Sequence, residues 1–130
     1  MKTYIDSGLL PPKAKNTAEF IQKVDHLFDL MNSISPFARP GKEAISWANL
    51  TSKLDELNWY RTWISSWEFE GDTIKKSMPF KNGWLISIDS VCRIVQQCLN
   101  SGFHFVSTRK LNQDCLEVSI RCCVGVPCLP

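Results

Sequence analysis

The chain has 130 residues, 44% of them hydrophobic and 22% charged, and a net charge of +2. That length allows one domain at most, long enough to bury roughly two-thirds of its unfolded surface. The composition excludes a wholly disordered chain, and so mild a charge balance does not by itself imply nucleic-acid binding.

Residues 1–13 end in Leu9-Leu10-Pro11-Pro12, and each proline disfavours helix before it, so an extended or turn-like entry is predicted. The first helix is predicted to start near Asn16, with Asn16 as cap and Glu19 three residues later as in a capping box. Phe20, Ile21, Val24, Leu27, Phe28 and Met31 then fall at helical spacing on one face, and Asn32-Ser33 followed by Ser35-Pro36 ends the element. Residues 34–44 contain Pro36, Pro40 and Gly41 and read as a loop. A second helix is predicted from about Ser46 to Trp67, with a stripe of Trp47, Leu50, Leu54, Leu57, Ile64 and Trp67 opposite Lys53, Asp55 and Glu56. Residues 68–81 are polar, contain Gly71 and Pro79, and read as a connection. The third helix is predicted from near Asn82 to about Leu99, striped by Trp84, Leu85, Ile88, Val91, Cys92, Val95 and Leu99, with Asn100-Ser101-Gly102 as its stop. Phe103-His104-Phe105-Val106 alternates like a short strand or an extended linker. A last helix opens near Asn112 and collapses within a few residues into Arg121-Cys122-Cys123-Val124-Gly125-Val126-Pro127-Cys128-Leu129-Pro130. The fold class is therefore mainly α: a small helical domain of three to four amphipathic helices with an irregular C-terminal tail.

No apolar run approaches the roughly 18–20 residues that cross a bilayer, and Met1-Lys2-Thr3-Tyr4-Ile5-Asp6 has no apolar core of a secretory signal. No membrane partner and a nuclear or cytoplasmic location are expected. The six cysteines all follow residue 91, and Cys92 and Cys98 lie inside a helical pattern, which favours a reduced compartment over a disulfide framework. Cys122, Cys123 and Cys128 do not supply the two spaced pairs of a structural zinc site.

Few side chains announce chemistry. His26 stands beside Asp25, but adjacent helical residues do not face each other, so His26 reads as a surface residue. His104, between two phenylalanines, reads as structural or partly exposed. Trp47, Trp59, Tyr60, Trp63 and Trp67 with Arg61 could stack on nucleobases, but such a stripe is more often core or interface. No Gly-x-x-x-x-Gly-Lys-(Ser/Thr) phosphate loop is present.

The run Lys110-Leu111-Asn112-Gln113-Asp114-Cys115-Leu116-Glu117 closely resembles a run of the P-element-type (THAP-domain) DNA transposases, Lys-Leu-(Asn/Ser)-Gln-Asp-x-Leu-Glu. Further segments resemble the same family in the same order. They are Asp6-Ser7-Gly8-Leu9-Leu10-Pro11-Pro12-Lys13-Ala14, the helix from Thr17 to Phe28-Asp29-Leu30-Met31-Asn32-Ser33, and Gly83-Trp84-Leu85-Ile86-Ser87-Ile88-Asp89-Ser90. The resemblance covers about residues 1–117, with residues 42–80 the least distinctive.

The resemblance implies a partial GTP-binding insertion domain over residues 1–109, the start of the returning RNase H-like segment over 110–117, and a divergent tail over 118–130. GTP and Mg2+ are the implied cofactors, with GTP organising the protein on transposon DNA. Glu117 matches the third metal-binding, catalytic carboxylate, with Asp114 as the nearby alternative. Acids in a first helical turn are also favoured by the helix dipole alone. Asp29 and Asn32 are the candidates for a guanine edge, and Lys75, Lys76 or Lys81 for phosphates.

Past Glu117 the family's aromatic pair gives way to Val118-Ser119-Ile120-Arg121. The zinc-coordinating DNA-binding domain and the two upstream acids have no counterpart in these residues, and one carboxylate cannot assemble a two-metal site. The expectation is a transposase fragment, inactive in DNA cleavage alone. The alternative is a non-enzymatic helical module that binds another protein, such as a transposase-derived inhibitor.

Overall fold

The computed structural model describes Gly8, Pro11 and residues 14–69 and 79–112. In chain order these form α1 (Ala14–Met31), β1 (Ile45–Ser46), α2 (Leu50–Ser65), α3 (Pro79–Asn100), β2 (Phe105–Val106) and a 3-10 helix (Thr108–Leu111). The domain is mainly α, as the periodicity predicts. The final helix predicted from Asn112 lies, apart from Asn112 itself, outside the described residues, as does the tail of residues 118–130.

The core forms where α2 and α3 face each other. Leu57, Tyr60 and Ile64 recur at three- and four-residue spacing on α2, and Ile88, Val91, Val95 and Leu99 do the same on α3, so each set lies on one face. Leu27 and Leu30 from α1 and Ile45 and Val106 from the strands complete the cluster. Full burial of each such side chain stabilises the fold by about 1.5–3 kcal/mol.

All three helix starts differ from the sequence expectation, and α2 also ends at Ser65, two residues before Trp67. α1 starts at Ala14, two residues before Asn16, and the Ala14 N–H donates to the Pro11 carbonyl (2.9 Å). α2 starts four residues after Ser46, because Ile45 and Ser46 pair antiparallel with Val106 and Phe105. Asn49 fixes the turn that follows: its Oδ1 accepts from the Ser46 N–H (2.8 Å) and its Nδ2 donates to the Ala44 carbonyl (3.1 Å). A strand pairing partner far along the chain, Phe105 opposite Ser46, thus overrides a locally plausible helix. α3 starts three residues earlier than Asn82, at Pro79, whose fixed φ and missing N–H suit a first helical turn.

The stop at Gly102 is as predicted. Its φ of 96° lies in the left-handed region, where a Cβ is disfavoured. The Phe103 N–H returns to the Cys98 carbonyl (3.2 Å) and the Gly102 N–H to the Leu99 carbonyl (3.1 Å), which is the Schellman pattern.

The predicted stripes are partly redistributed. Leu27 is buried, but Phe20, Ile21 and Phe28 are about half exposed, and Leu30, outside the predicted stripe, is buried instead. Trp47 is 59% exposed because it sits in the turn ahead of α2, whereas Tyr60 enters the core. Burial raises the Tyr60 phenol above its ordinary range, with the Glu56 carboxylate adding to the effect.

An ion-pair chain joins α1, the 34–44 loop and α2. Lys42 meets Asp29 (2.9 Å), Lys53 meets Glu43 (3.2 Å) and Glu56 (4.0 Å), and Glu56 meets His26 Nε2 (2.6 Å). The hydrogen bond from Lys53 holds the Glu43 carboxyl below the usual carboxylate range, against an opposing effect of burial, and the Gly41 N–H assists. A depressed carboxyl contributes stability that is present above its unfolded value, about pH 4.3, and is lost as pH falls through the lower folded value. Lys53→Met should therefore move the Glu43 titration upward toward the ordinary range. Carboxyl-detected NMR titration checks this, and an unmoved Glu43 would remove Lys53 as the cause.

Candidate functional site

α3 carries two useful faces. Ile88, Val91, Val95 and Leu99 turn to the core, while Gly83, Ser87, Ser90 and Ile94 line a groove against the end of α1. Small residues at three of those positions leave room where larger ones would close the gap. A Cβ at Gly83 would meet open space. The groove encloses about 680 Å³, within the roughly 300–1,000 Å³ common for small-molecule sites.

Phe28 and Met31 of α1 and Phe80 and Trp84 of α3 form its aromatic and apolar walls. Phe28 and Trp84 meet edge to face, with ring centroids 5.1 Å apart and planes at 84°, the arrangement the aromatic quadrupole favours. Asn32, Thr108, Leu111 and Asn112 close one end, and the Asn112 Nδ2 donates to the Asn32 Oδ1 (3.2 Å). None of the described lining residues is charged.

That end is held by an arrangement with no signature in the sequence. Ser33 and Thr108 are each about 1% exposed and 75 positions apart in the chain. The Ser33 N–H donates to Thr108 Oγ1 and the Thr108 N–H to Ser33 Oγ, both at 2.9 Å. Thr108 Oγ1 gives its one proton to the Leu30 carbonyl (2.8 Å). The remaining contact, 2.9 Å between the two hydroxyl oxygens, must then be donated by Ser33. The Ser33 carbonyl accepts from Ser107 Oγ (2.5 Å) and from the Arg109 N–H (3.2 Å). Both N–H groups and both hydroxyls of this buried pair, and the Ser33 carbonyl, are satisfied, as burial demands.

The sequence candidates fall in different places. Asn32 lines the groove. Asp29, one turn earlier, does not; its carboxylate is paired with Lys42. Lys81 Nζ donates to the Ser65 (2.9 Å) and Trp67 (2.8 Å) carbonyls, placing its charge at the negative end of the α2 dipole. Glu117, Asp114, Lys75 and Lys76 lie outside the described residues, as do Cys122, Cys123 and Cys128. Among the described residues, no group of three His, Cys, Asp or Glu side chains converges on a metal-sized space. The structure thus juxtaposes Asn32 with Leu111 and Asn112. Phe28 and Trp84, assigned to helix stripes in the sequence, turn out to be groove walls.

The tryptophan stripe is a half-buried layer. Trp59 and Trp63 stack with centroids 6.1 Å apart, Trp63 and Trp67 meet edge to face, and Phe20 of α1 leans on Trp63 and Trp67. Lys23 Nζ sits about 5.5 Å from the Trp59 and 5.4 Å from the Trp63 ring centroid. Arg61 faces away from these rings and holds Asp89 of α3 through Nε–Oδ1 (2.7 Å) and Nη2–Oδ2 (3.3 Å) bonds. His26 is engaged by Glu56 and lies 5.9 Å from the Tyr60 ring, while His104 is exposed. Cys92 and Cys98 are free thiols, and burial pushes Cys92 upward.

Among the described residues, no helix is long and apolar enough to cross a membrane. No family model matches the chain, and no curated protein or solved structure is similar to it.

Proposed function

We propose that the chain is a fragment of a P-element-type transposase carrying its GTP-binding insertion domain, and that the groove between α1 and α3 is the nucleotide site. The observation that carries the proposal is the groove itself. The transposase-like segments ending in Asn32-Ser33, opening at Gly83-Trp84 and opening at Lys110 meet around it.

The lining chemistry suits a purine base and ribose. Phe28 is 48% exposed at the wall and offers a ring face for stacking. The Asn32 carboxamide can pair with a guanine edge through both a donor and an acceptor. Asp29 can join only if its ion pair with Lys42 opens, which makes Asn32 the stronger base-reading candidate. The uncharged described lining suits the base and ribose, so the triphosphate of a bound GTP, with Mg2+ as counterion, would lie toward the rim. DNA cleavage by this chain alone is not expected, since one matched acid, Glu117, cannot hold two metal ions.

Calorimetric titration of the full chain with GTP and magnesium tests this. Saturable binding with at least about tenfold preference over ATP, about 1.4 kcal/mol, is expected. Phe28→Ala should abolish it without unfolding the protein, because Phe28 is only half buried. A folded chain that binds no GTP would sink the nucleotide reading, and metal-dependent nicking of transposon-end DNA would sink the inactivity.

The second reading is a protein-interaction module. It is favoured by apolar surface outside the groove, including Trp59 at 51%, Phe103 at 60% and Phe37 at 95% exposure. Stable folding without nucleotide binding would select it.

A further inference from the structure

We infer that Ser33 and Thr108 are positioning residues that couple occupancy of the groove to docking of residues 107–112 on the end of α1. The inference rests on the nucleotide reading of the groove and adds a mechanism to it. Thr108, Leu111 and Asn112 form one end of the groove, and none of them belongs to α1 or α3. That end therefore exists only while the 107–112 segment is docked.

Docking is held by a short set of bonds converging on one residue. Ser33 exchanges backbone and hydroxyl bonds with Thr108, and its carbonyl receives Ser107 Oγ and the Arg109 N–H. The Asn32–Asn112 bond extends the seam to the groove itself. The other residues of the 3-10 helix, Arg109, Lys110 and Leu111, are exposed. A ligand that touches both Asn32 and the Leu111–Asn112 wall binds only the docked state, and so shifts the population toward it. Linkage makes the effect reciprocal: whatever loosens the Ser33–Thr108 pair must weaken the ligand.

Hydrogen-exchange mass spectrometry on the full chain, with and without GTP and magnesium, tests the coupling alongside affinity measurements on variants. GTP should slow exchange together in peptides covering residues 30–34 and 107–112. Thr108→Val, which keeps the side-chain volume and removes the hydroxyl, should weaken GTP by about tenfold or more under conditions where it remains folded, while Thr108→Ser should restore affinity to within about threefold. A merely structural threonine would lower the melting temperature and leave the affinity of the folded protein unchanged. Wild-type affinity in folded Thr108→Val would overturn the inference, as would protection of residues 30–34 without 107–112. Should Thr108→Val not fold, Ser107→Ala decides, with about threefold weaker binding expected and unchanged binding overturning the coupling. Absence of GTP binding by the wild-type chain would remove the nucleotide reading and this inference together, whereas wild-type binding with indifferent variants removes the inference alone.

Discussion

Ile88→Ala should destabilise the protein by about 2–5 kcal/mol. Ile88 and Ile64 are both fully buried, on the faces of α3 and α2 that build the core. Truncation removes three carbons from a site walled by two helices, so little collapse can refill the cavity. Against an overall stability of roughly 5–15 kcal/mol, such a loss brings the domain near the edge of unfolding. Urea denaturation should show a lower midpoint with an unchanged slope. Ile86→Ala is the internal control: Ile86 is 67% exposed two positions away, and its loss should stay within about 0.5 kcal/mol. Equal effects at the two sites would mean that α3 presents a different face to the core.

Thr108→Val should cost about 2–4 kcal/mol, although the two side chains have nearly the same size. The substitution strips partners from the Ser33 N–H, the Ser33 hydroxyl and the Leu30 carbonyl in a site about 1% exposed. Water cannot reach these groups to replace the lost bonds, so their desolvation is uncompensated. Thr108→Ser keeps all of these bonds and gives up one methyl group, at about 1 kcal/mol. Thermal unfolding of the two variants side by side separates hydrogen bonding from packing. If valine is tolerated as well as serine, the buried bonds do not hold the segment.

The contrast between these residues marks how far local reading reaches. The three helices follow from periodicity, from proline placement and from Gly102, all of which act within a few positions along the chain. Leu57, Ile64, Ile88, Val91, Val95 and Leu99 are core residues both by spacing and in the structure. Where spacing misleads, a distant partner is the cause. Ser46 reads as the start of a helix until Phe105 pairs with it. Phe28 reads as core because it shares a helical face with Leu27 and Met31. Among the described residues no element covers its outer side, and it becomes a groove wall instead.

The candidate site was legible only in part. Asn32 could be picked out as a polar side chain near the end of α1 whose carboxamide suits a guanine edge. Asp29 looked equivalent by the same argument, since residues three apart lie on neighbouring parts of one helix surface. Only the fold shows that Lys42, brought in by the 34–44 loop, takes the Asp29 carboxylate while Asn32 faces Asn112. Lys81 likewise could be named as a phosphate cation from charge alone. Its ammonium is instead held by two carbonyls at the end of α2.

The amino-acid sequence by itself determined the mainly helical class and, to within a few residues, the course of the three described helices. Those properties depend on side chains that are neighbours along the chain. Tertiary structure alone decided the groove, the Ser33–Thr108 pair and the division of labour between Asp29 and Asn32. The physical reason is that two hydroxyls 75 positions apart carry no periodicity and no spacing rule. Their value appears only when folding removes the water that would otherwise satisfy each of them separately.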